Sequence, residues 1–138
     1  MGILHLQYAV NGGGYSRIEA SNALTYIYLY FLNDPNTALK YITPISDEHP
    51  ENPFFAALKG EALARSGNFI DLDKFYPHLE LLSQNGPFLQ RNETELKIKY
   101  IRAIESFSNN DIQSTIEYTS WIIDNYHMEF DWLLGKAH

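Results

Sequence analysis

The stretch NPFFAALKGEALARSG, residues 52–67, decides the fold of this chain. Phe55 and Leu58 stand three residues apart, so on a helix they share one face. Gly60 follows two residues later, and its lack of a side chain leaves room for another helix to approach closely. The same spacing returns twice, in Ile98, Ile101 and Ala103 and in Phe130, Leu133 and Gly135. This recurrence predicts an array of helical repeats.

Turn and capping residues divide the chain into segments of helix length. We expect helices over residues 2–10, 16–32, 35–47, 53–66, 68–83, 92–108, 112–126 and 128–138. Asp34 and Asn52 each precede a proline, a pattern typical of an N-cap followed by the first helical residue. Pro44 predicts a kink or an early end of its helix. The aromatic run 26–32 leaves a strand conceivable as an alternative.

Two further helix starts are predicted from capping boxes. Ser16 with Glu19, and Asn92 with Glu95, place an acceptor at the N-cap and a glutamate three residues on. The segment before the second box, residues 84–91, is the longest predicted connector. The corresponding positions of successive units are separated by 34, 43 and 32 residues, and they are Tyr26, Gly60, Ala103 and Gly135. The connector accounts for the longer separation of 43 residues.

The best unit carries Gly60 in its first helix, Gly67 at the inter-helix turn and Phe69 opening the second helix. Ala38 and Pro50 add a small residue and a closing proline to the unit before it. This pattern resembles the tetratricopeptide repeat (TPR) family over nearly the whole chain. The resemblance implies an all-α, right-handed superhelix of stacked antiparallel helix pairs, a TPR-like α-solenoid.

The resemblance implies one domain, residues 1–138, made of partial and complete units. The expected divisions are a second helix of a truncated unit at 1–12, units at 15–50, 52–86 and 92–127, and the start of a further unit at 128–138. Because both ends fall inside a unit, we expect the chain to be a piece of a longer array. A non-repetitive helical bundle is the alternative.

Composition excludes several classes of function. The formal net charge is −7, which leaves no basic stripe for nucleic acid or for an anionic membrane surface. The chain has no cysteine, so thiolate metal sites and a cysteine nucleophile are absent. The apolar runs are too short to cross a bilayer, so we expect no membrane insertion. The compartment stays open, because a cysteine-free helical protein suits the cytoplasm or the periplasm.

Motifs for catalysis are scarce, and we expect neither an enzyme nor a cofactor. Residues 12–14 are three glycines, but they follow no strand and lack the lysine of a phosphate loop. No two histidines stand four residues apart as helical metal ligands do, so no metal site is expected. A small enzyme or ligand sensor, with a pocket near residues 84–91, Tyr76 and His78, is kept as a less favoured alternative.

A protein or peptide is the partner that the resemblance implies, because first helices of such repeats form a concave binding face. Positions carried over to that face are Ile27, Tyr30, Phe31, Glu61, Ala64, Arg65, Lys97, Tyr100, Ile104 and Phe107. From these we select aromatic anchors and single charges as partner-binding residues, namely Tyr30, Glu61, Arg65, Lys97, Tyr100 and Phe107.

A self-assembly scaffold is the second hypothesis. Repeat units bury their apolar faces only against neighbours, so half-units at the ends leave apolar surface uncovered. The residues expected there are Ile3, Leu6 and Val10 at one end and Trp132, Leu133 and Leu134 at the other. The expected consequence is a homo-oligomer formed through the repeat ends.

Overall fold

The chain is all-helical wherever its structure is described. The computed structural model describes the backbone of residues 2–12 and 14–133 and the side chains of residues 2–12 and 16–125. Within these residues there is no strand, and the helices are α1 Gly2–Gly12, α2 Gly14–Tyr26, α3 Pro35–Glu48, α4 Pro53–Arg65, α5 Phe69–Ser83, α6 Phe88–Ser108 and α7 Ile112–Leu133. The all-α class is confirmed. No helix in the described backbone combines the length and apolarity that a membrane span needs.

Each helix packs against the next along the chain, and α4 also packs against α6. Helix α4 is the centre of this arrangement because it contributes to two apolar clusters. Leu58 and Ala62 pack with α3 and with Leu29, which follows α2, whereas Ala56, Leu63 and Ala64 pack with α5 and α6. The small alanines on several sides of α4 let its neighbours approach closely.

The caps at Asp34 and Asn52 are confirmed. The Asp34 carboxylate accepts hydrogen bonds from the backbone N–H and the hydroxyl of Thr37, and these bonds hold the pKa of Asp34 below its usual value. The Asn52 side chain accepts from the N–H groups of Phe54 and Phe55. A proline occupies the first turn of both helices, where its missing N–H leaves no bond unmade.

Both predicted capping boxes are wrong. Helix α2 begins at Gly14, so Ser16 lies inside its first turn. Helix α6 begins at Phe88 rather than after Asn92, because the chain leaves the Gly86 turn through Pro87 and the Arg91 N–H already bonds the Pro87 carbonyl. The connector before α6 is correspondingly shorter than expected.

An early helix end at Pro44 and a helix start at residue 128 are both absent from the backbone. Helix α3 continues past Pro44 to Glu48, so the proline does not end it. Helix α7 runs without a break from Ile112 to Leu133, so no second helix starts at residue 128. The side chains of Trp132, Leu133 and Leu134, expected at an exposed end, lie outside the described side chains, and so does the side chain of Phe130.

The run 26–32 forms a π-helical turn, Ile27–Phe31, that continues α2 instead of a strand. The Leu32 N–H reaches back to the Ile27 carbonyl, which is the wider bond of a π-turn. Asn33 then takes a left-handed conformation (φ +50°) and ends the helix. Leu29 is buried in the apolar cluster that contains Leu58 and Ala62, and the hydroxyl of its neighbour Tyr30 bonds Glu61 on α4.

Gly60 is the close-approach residue that its spacing predicted. A Cβ at this position would lie 2.9 Å from Ile101 Cδ1 on α6 and 3.1 Å from Leu79 Cδ1 on α5. Both of those side chains are fully buried. A methyl group at this position would therefore force the ends of the Ile101 and Leu79 side chains to shift.

We expect Gly60→Ala to lower the free energy of unfolding by about 1 kcal/mol, because overpacking of about 1–3 kcal/mol exceeds the helix propensity gained, about 1 kcal/mol. Ile101→Val deletes the Cδ1 atom that the methyl group added at position 60 would meet. On its own, Ile101→Val should lower the free energy of unfolding by about 0.5–1.5 kcal/mol. Urea unfolding of both single variants and the double variant should give a combined loss smaller than the sum. Strict additivity would show that the contact does not exist.

Candidate functional site

A groove of about 690 Å³ lies against α2 with its π-turn, α4, α6 and α7. Its walls are mainly apolar and aromatic, and the residues that define them are Tyr26, Tyr30, Phe54, Leu58, Leu96 and Tyr100. The charged residues that line it are Glu61, Glu93 and Lys97. The groove is thus an apolar surface with a small number of placed charges.

Glu61 is the polar centre of the groove and is fully buried. Its Oε1 atom accepts a hydrogen bond from the Tyr30 hydroxyl at 2.7 Å and lies 3.1 Å from the Lys97 ammonium. Tyr30 belongs to the π-turn, Glu61 to α4 and Lys97 to α6. One carboxylate oxygen therefore joins three helical segments that are distant in sequence.

The second oxygen of Glu61 is less well satisfied. Oε2 is buried and has no hydrogen-bond partner. Arg65, one turn along α4, brings its Nη1 atom only to 3.9 Å, because the same atom donates to the Leu29 carbonyl at 2.8 Å. Arg65 thereby binds a carbonyl at the C-terminal end of the α2 segment, where cations are favoured.

Two tyrosine rings lie near the Lys97 ammonium. Its Nζ atom lies 6.0 Å from the centre of the Tyr30 ring and 5.8 Å from that of Tyr100, and Tyr26 pairs with Tyr30 at 5.6 Å between ring centres. Burial, followed by the hydrogen bond to Glu61, raises the pKa of Tyr30 above its usual value. The Tyr30 hydroxyl therefore keeps its proton and remains a donor to Glu61 at neutral pH.

Five of the six residues selected from the sequence come together here. Tyr30, Glu61, Lys97 and Tyr100 line the groove, and Arg65 lies beside Glu61. Phe107 does not join them. It is 67% exposed near the end of α6 and is absent from the groove walls. The binding role of the six residues stays a prediction.

Part of the groove wall was not predicted from the sequence. Tyr26, Phe54 and Leu96 line the groove but were not selected. Phe54 had a usable signal, since it stands seven residues before Glu61 and shares its face of α4. Of the other concave positions expected, Ala64 is buried in the core and Ile104 packs against the core.

A second polar cluster joins α5 to α6. The Tyr76 hydroxyl donates to Glu105 at 3.2 Å, and the Arg102 guanidinium lies 3.9 Å from the centre of the Tyr76 ring. Burial and a hydrogen bond with Asp73 raise the pKa of Glu105 above its usual range. Tyr76 and His78, named for the enzyme alternative, line neither the groove nor a smaller cavity between α3, α4 and α5.

Among the described residues, no three His, Asp or Glu side chains are grouped as ligands for a metal ion. Comparisons with protein-family models, with curated proteins and with solved structures give no match to this chain. The functional argument therefore starts from the groove and its buried carboxylate.

Replacing Lys97 should lower the free energy of unfolding more than replacing Glu61, since Glu61 is fully buried and the Lys97 side chain is 44% exposed. Lys97→Met removes a partner of the buried carboxylate and should lower the free energy of unfolding by about 2 kcal/mol. This is less than the usual loss of about 3–5 kcal/mol for a broken buried ion pair, because Arg65 remains nearby. Glu61→Gln keeps an acceptor for Tyr30, frees Lys97 to hydrate, and should cost about 1 kcal/mol.

Urea unfolding of the two single variants and of Glu61→Gln/Lys97→Met checks this order. The double variant should recover part of the loss seen in Lys97→Met, because it removes the unpaired charge. A larger loss for Glu61→Gln than for Lys97→Met would contradict the described pairing.

Proposed function

We propose that this chain is a non-catalytic protein-interaction module of TPR-like type, which binds a segment of another protein in the groove. The observation that carries the proposal is the groove itself, with its apolar and tyrosine-rich walls around one buried carboxylate. Extended or helical segments of other proteins bind in apolar grooves of this kind, where pockets take their side chains.

The order of the helices supports a repeat arrangement. Taken in pairs, α2 with α3, α4 with α5 and α6 with α7 are neighbours, and the first members α4 and α6 also pack against each other. The groove is lined chiefly by the first members of the pairs. In the proposed arrangement the pairs stack as a right-handed superhelix whose inner face is this groove.

The wall residues fit an extended or helical segment with apolar side chains. Tyr26, Phe54 and Tyr100 are partly exposed, so they can contact a bound chain without unfolding any helix. Tyrosine gives a large contact area and a hydroxyl at a low cost in side-chain entropy. Such residues contribute much of the binding energy at protein interfaces.

Selection of random displayed peptides against the full chain tests the proposal. Peptides that bind should lose at least about tenfold in affinity to Phe54→Glu/Tyr100→Glu, because both substitutions put a charge on the apolar wall. Ile70→Glu is the matched control, since Ile70 is exposed on α5 outside the groove. Fluorescence anisotropy gives the affinities. Failure to select any peptide, or equal loss in the control, would refute the groove as the binding site.

A second candidate function, self-assembly, is favoured by one face of α7. Ile112, Ile116 and Ile123 recur at helical spacing and are each 56% exposed. On α1 the exposed apolar residues are Leu4 and Tyr8, whereas Ile3, Leu6 and Val10, which were expected there, are partly buried. Apolar surface is thus present on the first and last described helices. Association of copies through these faces would bury it.

Sedimentation velocity over a range of protein concentrations tests self-assembly. If copies associate through α7, the sedimentation coefficient should rise with concentration, and Ile116→Glu/Ile123→Glu should abolish the rise. The matched control is Ile70→Glu, which changes the same kind of exposed isoleucine on α5. A chain that stays monomeric throughout the range contradicts this candidate.

A further inference from the structure

We propose that the groove accepts an arginine side chain of the bound segment, which displaces the Lys97 ammonium and pairs with both carboxylate oxygens of Glu61. This inference rests on the proposed function and adds the chemistry of the partner. It identifies the partner as a segment with apolar residues around one arginine anchor.

Lys97 marks the position as a site for a cation. Its ammonium contacts a buried carboxylate and lies near the Tyr30 and Tyr100 rings. A carboxylate combined with aromatic faces attracts cations through both the charge and the ring quadrupoles. The site is therefore already built, and a residue of the chain itself occupies it.

Lysine fills this site incompletely. The Lys97 ammonium is a point donor that bonds Oε1 and leaves Oε2 without a hydrogen bond. A guanidinium carries parallel N–H donors that match the two oxygens of a carboxylate. An arginine of the partner, bound where the Lys97 ammonium lies, would donate to the buried oxygen that has no hydrogen bond in the chain itself. This gain distinguishes arginine from lysine as the anchor.

The exchange is electrostatically balanced. One cation leaves Glu61 as another arrives, and Lys97, already 44% exposed, can extend into water. Arg65 forms an ion pair with Oε2 at 3.9 Å but gives it no hydrogen bond, because its Nη1 atom donates to the Leu29 carbonyl. A second guanidinium can therefore still donate to that oxygen. Glu93 adds an exposed carboxylate to the groove wall, and the whole chain carries a net charge of −7, both of which favour a basic partner.

Peptides selected for groove binding provide the probe. Sequencing them should show an arginine enriched at one position between apolar residues. A selected peptide is then compared with versions carrying lysine or citrulline at that position, citrulline being the neutral analogue of nearly equal shape. We expect each replacement to weaken binding by about tenfold or more, the usual effect of losing a hydrogen bond to a charged group.

Two variants locate the effect in the groove. In Glu61→Gln the difference between the arginine and citrulline peptides should disappear. In Lys97→Met the arginine peptide should bind about tenfold more tightly than to the native chain, because no ammonium has to be displaced. Lys99→Met is the matched control, since Lys99 lies over Tyr118 and Trp121 and does not line the groove.

The outcomes separate this inference from the proposed function. Peptides that need the groove walls but show no preference for arginine would overturn the arginine site and leave the binding groove intact. A citrulline effect that persists in Glu61→Gln, or weaker binding by Lys97→Met, would also overturn it. If no peptide is selected, both proposals fail.

Discussion

The fully buried carboxylate of Glu61 is the interaction on which the arrangement of the groove depends. A buried charge is stable only when it is paired and hydrogen-bonded, so Glu61 constrains the groups around it. Tyr30 and Lys97 supply those bonds from the π-turn and from α6, and Arg65 joins α4 to the same π-turn through the Leu29 carbonyl. The walls of the groove are thereby held in one mutual position.

Apolar packing and this polar cluster meet α4 at two consecutive residues, Gly60 and Glu61. The Gly60 contact lets α5 and α6 approach closely, and the alanines of α4 extend that packing. Glu61, the next residue, faces the groove instead of the core contact. Adjacent residues of one helix therefore set both the packing distance of the fold and the chemistry of its surface.

Much of the fold follows from local sequence rules. Asp34–Pro35 and Asn52–Pro53 predict their helix starts because capping depends only on neighbouring atoms. The Asn92 capping box fails because helix formation was already favourable at Phe88, directly after the Gly86–Pro87 turn. A capping motif predicts a start only where no earlier start competes with it.

The site was predictable only in part, for a physical reason. The pairing of Glu61 with Arg65 follows from their spacing of one helical turn. Lys97 reaches the same carboxylate from a distant part of the sequence, and Tyr30 does so from a π-turn that periodicity did not indicate. The family resemblance predicted these residues on one face, but the burial of Glu61 and the missing hydrogen bond at its Oε2 atom emerge only from the packed structure.

Hydrogen exchange of the native chain and a Glu61→Ala variant, each referred to its own global stability, tests most directly whether this carboxylate holds the three segments together. We expect amide protection to fall together in Ile27–Phe31, α4 and α6, because all three lose a shared partner, while α1 keeps its relative protection. A loss confined to the turn of α4 around residue 61 would contradict the account, since Glu61 would then be only a local feature of its own helix.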